Sequence, residues 1–241
     1  SLTVDLYDQI TELRGTPPDY TDEELAIQYL NRHPPELDWV RPNFNMAPTQ
    51  HSPVVVVRDG QPAVERFRWG LVPFWTKSIK AAAKYSLINA RGEEIAQKRS
   101  YAKAFQRRRC VVPLSGFYEW KREGKTKRPF AIHLRDHPIM SVAGVWERWQ
   151  PDGDAEPSHS FSIVTTRANT FMADIHDRMP VILDGQDVEH WLDPEVQEPE
   201  QVLPLVRPCP PEWLTAYEVS TAVNSPRNNS PDLLQRCSAQ P

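Results

Sequence analysis

Features that mark membrane, disulfide-bonded and zinc proteins are missing from this sequence of 241 residues. No apolar run approaches the roughly 18 residues that a membrane-spanning helix needs, and no charged-then-apolar export signal opens the chain. The three cysteines, Cys110, Cys209 and Cys237, form no Cys-x-x-Cys pair, so neither a zinc site nor a disulfide framework is indicated. Cys110 lies in an apolar run and is expected in the core, and reduced thiols suit the cytoplasm.

The motifs of several common enzyme classes are absent as well. There is no Gly-x-Ser-x-Gly elbow, P-loop, His-Glu-x-x-His pair or aspartate-rich metal motif. Ser115-Gly116 is not a hydrolase elbow, because it lacks the preceding glycine and runs into a predicted strand. We therefore expect neither a metal nor a small-molecule cofactor.

The formal net charge of −4 conceals an uneven distribution along the chain. Residues 77–109 carry ten basic and two acidic side chains, and residues 121–135 carry six basic and one acidic. By contrast, residues 1–38 and 174–200 have net charges of −7 and −8. A basic middle between acidic ends indicates a localised anion-binding face, although a solvated helix face between residues 93 and 109 would explain part of the charge.

Apolar periodicity and turn residues predict a chain dominated by short strands. A hairpin is expected to turn at Asp59-Gly60, and Gly124 marks another turn. Two amphipathic helices are expected around residues 6–13 and 21–30. Further strands are predicted at 109–114, 116–122, 129–135, 139–147, 160–166, 179–183 and 216–220, and helices at 93–107, 187–192 and 199–206.

This order of elements predicts an α+β fold. Helices long enough for repeated βαβ crossovers are missing, which favours a mainly antiparallel, barrel-like β-sheet flanked by short helices. The 24 prolines are spread along the chain and no internal repeat is present. We expect residues 1–241 to form a single domain.

Glu119 is a candidate general acid. It lies on a predicted strand, where alternation places it on one face with Phe117, while Tyr118 and Trp120 occupy the other. A carboxylate beside an aromatic ring in a cleft tends to have a raised pKa, which suits proton donation near neutral pH. The alternative is an edge-strand glutamate that faces water.

His176, Asp177 and Arg178 place an imidazole, a carboxylate and a guanidinium in succession before Pro180. The group could serve acid–base chemistry, or it could be a capped turn with a local ion pair. Asn89 and Arg91 are two residues apart, so in an extended segment their side chains would point the same way. That arrangement suits an amide and a guanidinium that hold a polar group and a phosphate.

An aromatic run spans residues 69–75 and precedes the basic segment. Aromatic rings beside basic residues can stack the bases of single-stranded DNA, but they can equally belong to the core. We interpret Trp69 as a core residue. Trp75, which is close to Lys77 and Lys80, is the better candidate for a nucleic-acid contact.

Taken in order, seven segments of this chain resemble the SOS response-associated peptidase (SRAP) family. Any one of them is weak evidence, but their order and spacing cover nearly the whole chain. They are Asn45–Gln50, Trp69–Trp75, Asn89–Glu93, Arg109–Trp120, Thr165–Asn169, His176–Pro180 and Val219–Asn224.

The resemblance implies the SRAP fold and a sensor of abasic sites in single-stranded DNA. In this family the α-amine of an N-terminal cysteine attacks the ring-opened sugar aldehyde to form an imine, and the thiol then closes a thiazolidine ring. An α-amine titrates near pH 7.7–8.0, so part of it is neutral in cells. Autopeptidase and lyase-like activities are also associated with this chemistry, in the context of the SOS response to DNA damage.

Carried onto this sequence, the resemblance implies a role for each matching residue. Glu119 would assist ring opening and proton transfer, and His176 would act as a second acid–base group. Asn89 would orient the N-terminal residue, and Arg91 would hold the phosphate beside the lesion. Further DNA contacts are expected at Arg178 and Arg99, beside those at Trp75 and Lys77.

The sequence departs from the family at its beginning, where relatives read Met-Cys-Gly-Arg-Phe and this chain reads Ser1-Leu2-Thr3. We interpret the difference as a missing head, although Ser1 could also be a genuine terminus. A serine amine can form an imine, but its hydroxyl closes a ring far less readily than a thiol. The 241-residue form is therefore expected to bind abasic DNA without trapping it.

Two other functions fit the same residues. One is a non-covalent module that binds single-stranded DNA or junctions through the basic face, and the other is a peptidase that acts on proteins. For the leading hypothesis we expect a monomer that is cytoplasmic, bacterial in type and associated with the nucleoid. Its expected partner is single-stranded DNA with abasic sites, and no membrane.

Overall fold

The computed structural model describes residues 39–151 and 156–237. Within these ranges the helices are α1 (Ile79–Ala82), α2 (Ala102–Arg107), α3 (Gly185–Leu192) and α4 (Pro199–Val202), and short 3-10 turns link several elements. The strands are β1 (His51–Arg58), β2 (Gln61–Trp69), β3 (Asn89–Arg91), β4 (Arg109–Leu114), β5 (Phe117–Glu123), β6 (Thr126–Leu134), β7 (Met140–Trp149), β8 (Ser158–Arg167), β9 (Arg178–Pro180), β10 (Ile182–Leu183) and β11 (Leu214–Glu218).

Eight strands form a closed, barrel-like sheet. β1 pairs antiparallel with β2 and β4, β4 with β7, and β7 with β8. β8 then pairs in parallel with β2, which completes the ring. β3 and β9 add to β8, and β10 adds to β7. The expected α+β class with a mainly antiparallel barrel-like sheet is confirmed, and the sheet also contains two parallel pairings, β2–β8 and β3–β8.

Strands β11, β6 and β5 form a second, antiparallel sheet in that order, with β5 at its edge.

Tight turns set the registers of the β1–β2 and β5–β6 hairpins. Asp59 and Gly60 both have positive φ values, 51° and 74°, as a two-residue turn between twisted strands requires. Gly124, with φ of 62°, opens the turn of the β5–β6 hairpin. Both turns lie where the sequence predicted them.

Both faces of the larger sheet are buried, which explains the continuous apolar run of β1. Val54 and Val56 enter one apolar cluster together with Cys110, whereas Val55 enters another together with Trp191 of α3. A strand that is covered on both faces needs apolar side chains at successive positions. Cys110 has no exposed surface, so its expected place in the core is confirmed.

Arg109, at the start of β4, is a buried guanidinium that anchors two helix ends. Although the sequence counted it in the basic segment, its side chain is only 7% exposed and burial lowers its pKa to about 10. Helix ends leave carbonyl groups without partners, and a basic side chain can satisfy them. Its five N–H groups donate to the carbonyl oxygens of Phe105, Gln106, Trp191, Asp193 and Val196.

The helix predicted over residues 93–107 is wrong in its first half. A 3-10 turn at Gly92–Glu94 comes first, and α2 begins only at Ala102. Ile95, Tyr101 and Phe105 all enter the same apolar cluster. On one straight helix Ile95 and Tyr101 would lie about 120° apart, whereas the turns that separate them here bring both side chains into one cluster without a single helical face.

The predicted strand over residues 179–183 is divided between two partners. β9 pairs with β8, whereas β10 pairs with β7, and the buried Val181 joins them. The other predicted strands and helices agree with the structure to within a few residues. The helices expected around residues 6–13 and 21–30 lie outside the described residues.

Candidate functional site

Glu119 lies in the middle of β5, and its carboxyl group is largely withdrawn from water. Phe117 packs against the core on the same face, while Tyr118 and Trp120 pack into a separate cluster on the other face, as the alternation predicted. Burial raises the pKa of Glu119, and it outweighs the opposing effects of the nearby His176 imidazole and of the Trp120 backbone N–H. β5 is an edge strand, but Glu119 is not the water-facing glutamate that was the alternative.

His176 lies in the loop before β9, close enough to Glu119 for its charge to act on that carboxyl group. The backbone N–H of Arg178 donates to His176 Nδ1 at 3.0 Å, so the neutral ring carries its proton on Nε2. When the ring is protonated, the carboxylate of Asp177, 3.3 Å from Nδ1, and the carbonyl of Arg178 at 3.2 Å can each accept from it. The structure thus brings an acidic carboxyl group and an imidazole together from segments 57 residues apart in sequence.

Asn89 and Arg91 project from the same face of β3. Ala90 between them is fully buried, whereas both flanking side chains are exposed, as the extended segment predicted. The hydroxyl of Tyr101 donates to the carbonyl of Asn89 at 3.2 Å and so holds the strand in place. Arg91 forms no salt bridge with any residue in the described ranges, which leaves its guanidinium available for an anion.

Arg178 is held by an acidic partner that the sequence did not predict. Its guanidinium makes two hydrogen bonds with the carboxylate of Glu93, at 2.8 and 2.9 Å, and donates to the carbonyl and hydroxyl oxygens of Thr165. The Arg178 hydrogen bonds lower the pKa of Glu93. A Cβ on the preceding Gly92 would lie 2.0 Å from Val206 Cγ1, so only glycine permits the chain to pass this point.

This pairing has two consequences. It joins the turn after β3, through Glu93, to the start of β9. It also occupies the outer nitrogens of Arg178, which sequence reasoning had assigned to a DNA phosphate. Only the Nε of Arg178 lacks a partner among the described residues, and that atom is buried.

Three rings, of Phe74, Trp75 and Tyr85, form what we call the aromatic patch. Phe74 and Tyr85 are 54% and 41% exposed, whereas Trp75 is half-buried and meets Tyr85 edge to face at 5.3 Å. The indole N–H of Trp75 is buried and has no acceptor among the described residues. A basic group lies over each ring: Lys103 over Phe74 at 5.6 Å, Arg99 over Trp75 at 5.2 Å and Lys84 over Tyr85 at 4.8 Å.

The patch refines the sequence prediction. Trp75 and Arg99 were assigned to DNA separately, and the structure places them in contact. Phe74 and Tyr85 were not assigned, although exposed rings beside lysines in a basic segment could have indicated them. Lys77 is exposed next to the patch, while Trp69 packs against the core and donates to the Ile88 carbonyl at 2.9 Å, so its core placement is confirmed.

No group of three or more metal-ligating side chains occurs among residues 39–151 and 156–237. In the part of the chain that the structure describes, none of the helices is both long and apolar enough to cross a bilayer.

Comparison with known proteins places this arrangement in a family. Residues 16–226 match the model of the family described as SOS response associated peptidase (SRAP). The abasic site processing protein YoqW of Bacillus subtilis is 40% identical over 196 residues, which cover 80% of this chain and 86% of that protein. The abasic site processing protein HMCES of Xenopus tropicalis is 30% identical over 243 residues, or 89% of this chain and 72% of that protein.

A solved structure supports the same assignment. A Bacteroides thetaiotaomicron protein superposes with a TM-score of 0.72 and 33% sequence identity, covering 79% of this chain and 82% of that one. The family model matches well over half of the chain, and its residues include Glu119, His176, Asn89 and Arg91. This chain therefore belongs to the SOS response associated peptidase (SRAP) family.

Proposed function

We propose that this protein recognises abasic sites in single-stranded DNA and processes them at the Glu119–His176 pair. Its relatives are named for abasic site processing, and the chain presents a basic, aromatic surface in which Arg99 lies over the Trp75 ring. The observation that carries the proposal is the environment of Glu119. Its carboxyl group is largely desolvated, burial raises its pKa, and an imidazole lies close by, which is an arrangement suited to proton transfer.

The chemistry that this pair would support begins with the closed sugar of the abasic site. Protonated Glu119 donates a proton to the ring oxygen while a base removes the hydroxyl proton at C1′, so the ring opens to an aldehyde. An α-amine then adds to the aldehyde carbon, proton donation to the resulting hydroxyl releases water, and loss of the nitrogen proton leaves an imine. The thiol of an N-terminal cysteine adds to the imine carbon, its proton passes to nitrogen, and a thiazolidine results.

His176 and Asn89 would have supporting roles in these steps. The imidazole of His176 can accept the proton that the sugar or the amine loses, and Asp177 lies 3.3 Å from its Nδ1. That makes it the second acid–base group for both ring opening and reversal. The exposed amide of Asn89 would orient the attacking amine.

The experiment that tests the proposal is crosslinking to an oligonucleotide with one abasic site. The protein is prepared with Cys-Gly-Arg-Phe ahead of Ser1, and with Ala-Gly-Arg-Phe as the matched control. We expect a heat-stable adduct from the cysteine form alone. Salt-sensitive binding with no adduct would instead identify a non-covalent DNA-binding module. Cleavage of unrelated peptides, lost on Glu119→Ala, would identify a peptidase.

The aromatic patch would stack bases next to the lesion, with Arg91, Arg99 and Lys77 as phosphate contacts. Stacking of one base on an aromatic ring contributes about 1–3 kcal/mol, so Trp75→Ala should weaken binding of single-stranded DNA by roughly 5- to 150-fold. Trp75→Phe keeps a ring and should retain most of the affinity. Fluorescence anisotropy with an undamaged oligonucleotide measures both, and equal affinity of Trp75→Ala and wild type would exclude Trp75 from the DNA contact.

Arg178 would reach a phosphate only when Glu93 releases it. We therefore expect Glu93→Gln to increase DNA affinity at low salt, and to steepen the salt dependence of log K by about 0.7, the value for one additional contact to a single strand. Glu94→Gln is the matched control, because Glu94 is next in sequence but pairs with Lys98 at 2.8 Å. Binding titrations over a salt series compare the two variants with the wild type. A weaker Glu93→Gln complex would instead assign Arg178 a purely structural role.

A further inference from the structure

The β5–β6 hairpin ends in three exposed basic residues, Arg122, Lys125 and Lys127, which we call the basic tip. No salt bridge joins any of the three to an acidic residue in the described ranges. Glu123 lies among them in sequence, but Arg128 donates to both of its carboxylate oxygens at 3.1 Å. The positive charge of the basic tip is therefore not neutralised within the fold.

The strand register makes this charge costly. Arg122 lies directly opposite Lys127 in the antiparallel ladder, and like charges at such positions destabilise a hairpin. In the next pair, Lys121 and Arg128, two basic residues also face each other. There Glu123 and Glu218 compensate the positive charge, and Arg128 donates to Glu218 at 2.5 and 2.8 Å. The repulsion between Arg122 and Lys127 remains uncompensated one position away. A charge pattern that weakens the fold indicates an external polyanion as the compensating partner.

The position of the basic tip relates it to the candidate site. Arg122 follows Glu119 by three residues along β5, a separation of about 10 Å, and strand alternation places Arg122 and its cross-strand partner Lys127 on the opposite face of the hairpin from Glu119. Residues 121–128 contain no aromatic ring, so this part of the surface can contact phosphates but cannot stack bases. The aromatic patch has the opposite character, because its exposed rings can stack bases.

We propose that the basic tip binds the phosphodiester backbone of the DNA that flanks the abasic site. This inference rests on the proposed function and extends its footprint along the strand. Contacts to phosphates alone do not require unpaired bases, so this flank can be single-stranded or duplex. Single-stranded and duplex flanks present the same phosphodiester backbone, and oligonucleotides with one flank or the other distinguish them in the test.

The test compares Arg122→Gln/Lys127→Gln with Arg66→Gln/Arg148→Gln, a control that removes two exposed guanidinium groups from β2 and β7. Both are titrated over a salt series with an oligonucleotide that carries a stable abasic analogue, flanked by single strand or by duplex. For the double variant at the basic tip we expect the slope of log K against log salt to become shallower by about 1.4 with a single-stranded flank, or by about 1.8 with a duplex flank. The control should keep the wild-type slope.

Thermal unfolding of the free protein gives the second readout. Because Arg122 and Lys127 repel each other, their replacement should leave Tm equal to or above that of the wild type. A lower Tm would mean that the pair stabilises the fold, and it would overturn the inference, as would a wild-type salt slope on both DNA forms. If the wild-type protein shows no salt-dependent DNA binding, the proposed function fails as well, so the two failures are distinguishable.

Discussion

Replacing Glu119 with glutamine is expected to slow capture of an abasic site by about 10²- to 10⁴-fold, the range that loss of a general acid–base group produces. The substitution keeps the size and hydrogen-bonding shape of the side chain but removes the proton that it donates. The rate is measured as adduct formation with the Cys-Gly-Arg-Phe form of the protein under single-turnover conditions. Glu123→Gln, on the same face of β5 but exposed, is the control and should react at the wild-type rate.

The raised pKa of Glu119 also predicts how the rate of adduct formation changes with pH. Because burial raises the pKa of Glu119, the protonated carboxyl persists to higher pH than an exposed glutamate would allow, and the wild-type rate should fall as pH rises through that raised pKa. The Glu119→Gln variant should lack this fall. If the variant retains it, the acid belongs to another group.

The same pKa shift predicts that Glu119→Gln, although it slows the reaction, stabilises the fold. A raised carboxyl pKa means that the folded state binds the proton more tightly than the unfolded chain, so the free energy of unfolding decreases as pH rises from the ordinary value of 4.5 through the raised pKa. Glu119→Gln should therefore raise Tm near pH 7.5, and the gain should disappear below about pH 4.5. Differential scanning calorimetry at the two pH values measures both.

The second large effect is expected at Arg109. Arg109→Met should lower the free energy of unfolding by about 3–5 kcal/mol, because it leaves buried carbonyl groups of α2 and of the segment after α3 without a donor. For a chain of this size that corresponds to a fall in Tm of roughly 10 °C. Arg109→Lys keeps the charge but supplies three donors in place of five, so it should also be destabilised.

The adjacent Arg107 offers a matched control for Arg109. It lies in α2 with an exposed side chain, so Arg107→Met should change the free energy of unfolding by no more than about 0.5 kcal/mol. Chemical denaturation, with unfolding followed by tryptophan fluorescence, reports both variants. Equal stability of Arg109→Met and Arg107→Met would contradict the anchoring role. DNA binding does not enter this comparison, so it is independent of the proposed function.

The contrast between these arginines indicates how far the sequence could predict the structure. Strand alternation and turn chemistry are local, so the hairpin at Asp59-Gly60 and the orientation of Glu119 follow from neighbouring residues. The interior position of Arg109 does not, because three of its carbonyl partners lie more than 80 residues further along the chain. Composition alone placed it in a basic surface.

Parts of the candidate site were likewise predictable from the sequence, and other parts were not. Asn89 and Arg91 share a face of a strand, which the sequence predicted from their spacing. The pairing of Glu93 with Arg178 joins residues 85 positions apart, and nothing near either residue indicates it. The sequence predicted no role for Glu93, although it belongs to the segment Asn89–Glu93, and it predicted a DNA contact for Arg178. The exposure of Phe74 and Tyr85 likewise depends on tertiary packing.

The pairing of β8 has a consequence for synthesis of the protein. This strand pairs with β2, β3, β7 and β9, and it closes the ring although it begins only at Ser158. During translation, β1 to β7 therefore leave the ribosome with two sheet edges that wait for a partner not yet made. Folds with such long-range pairings form slowly and expose unpaired edges in the meantime. Asn89 and Arg91 gain their fixed positions only after β8 arrives, so nascent chains that end before Ser158 should have no organised site.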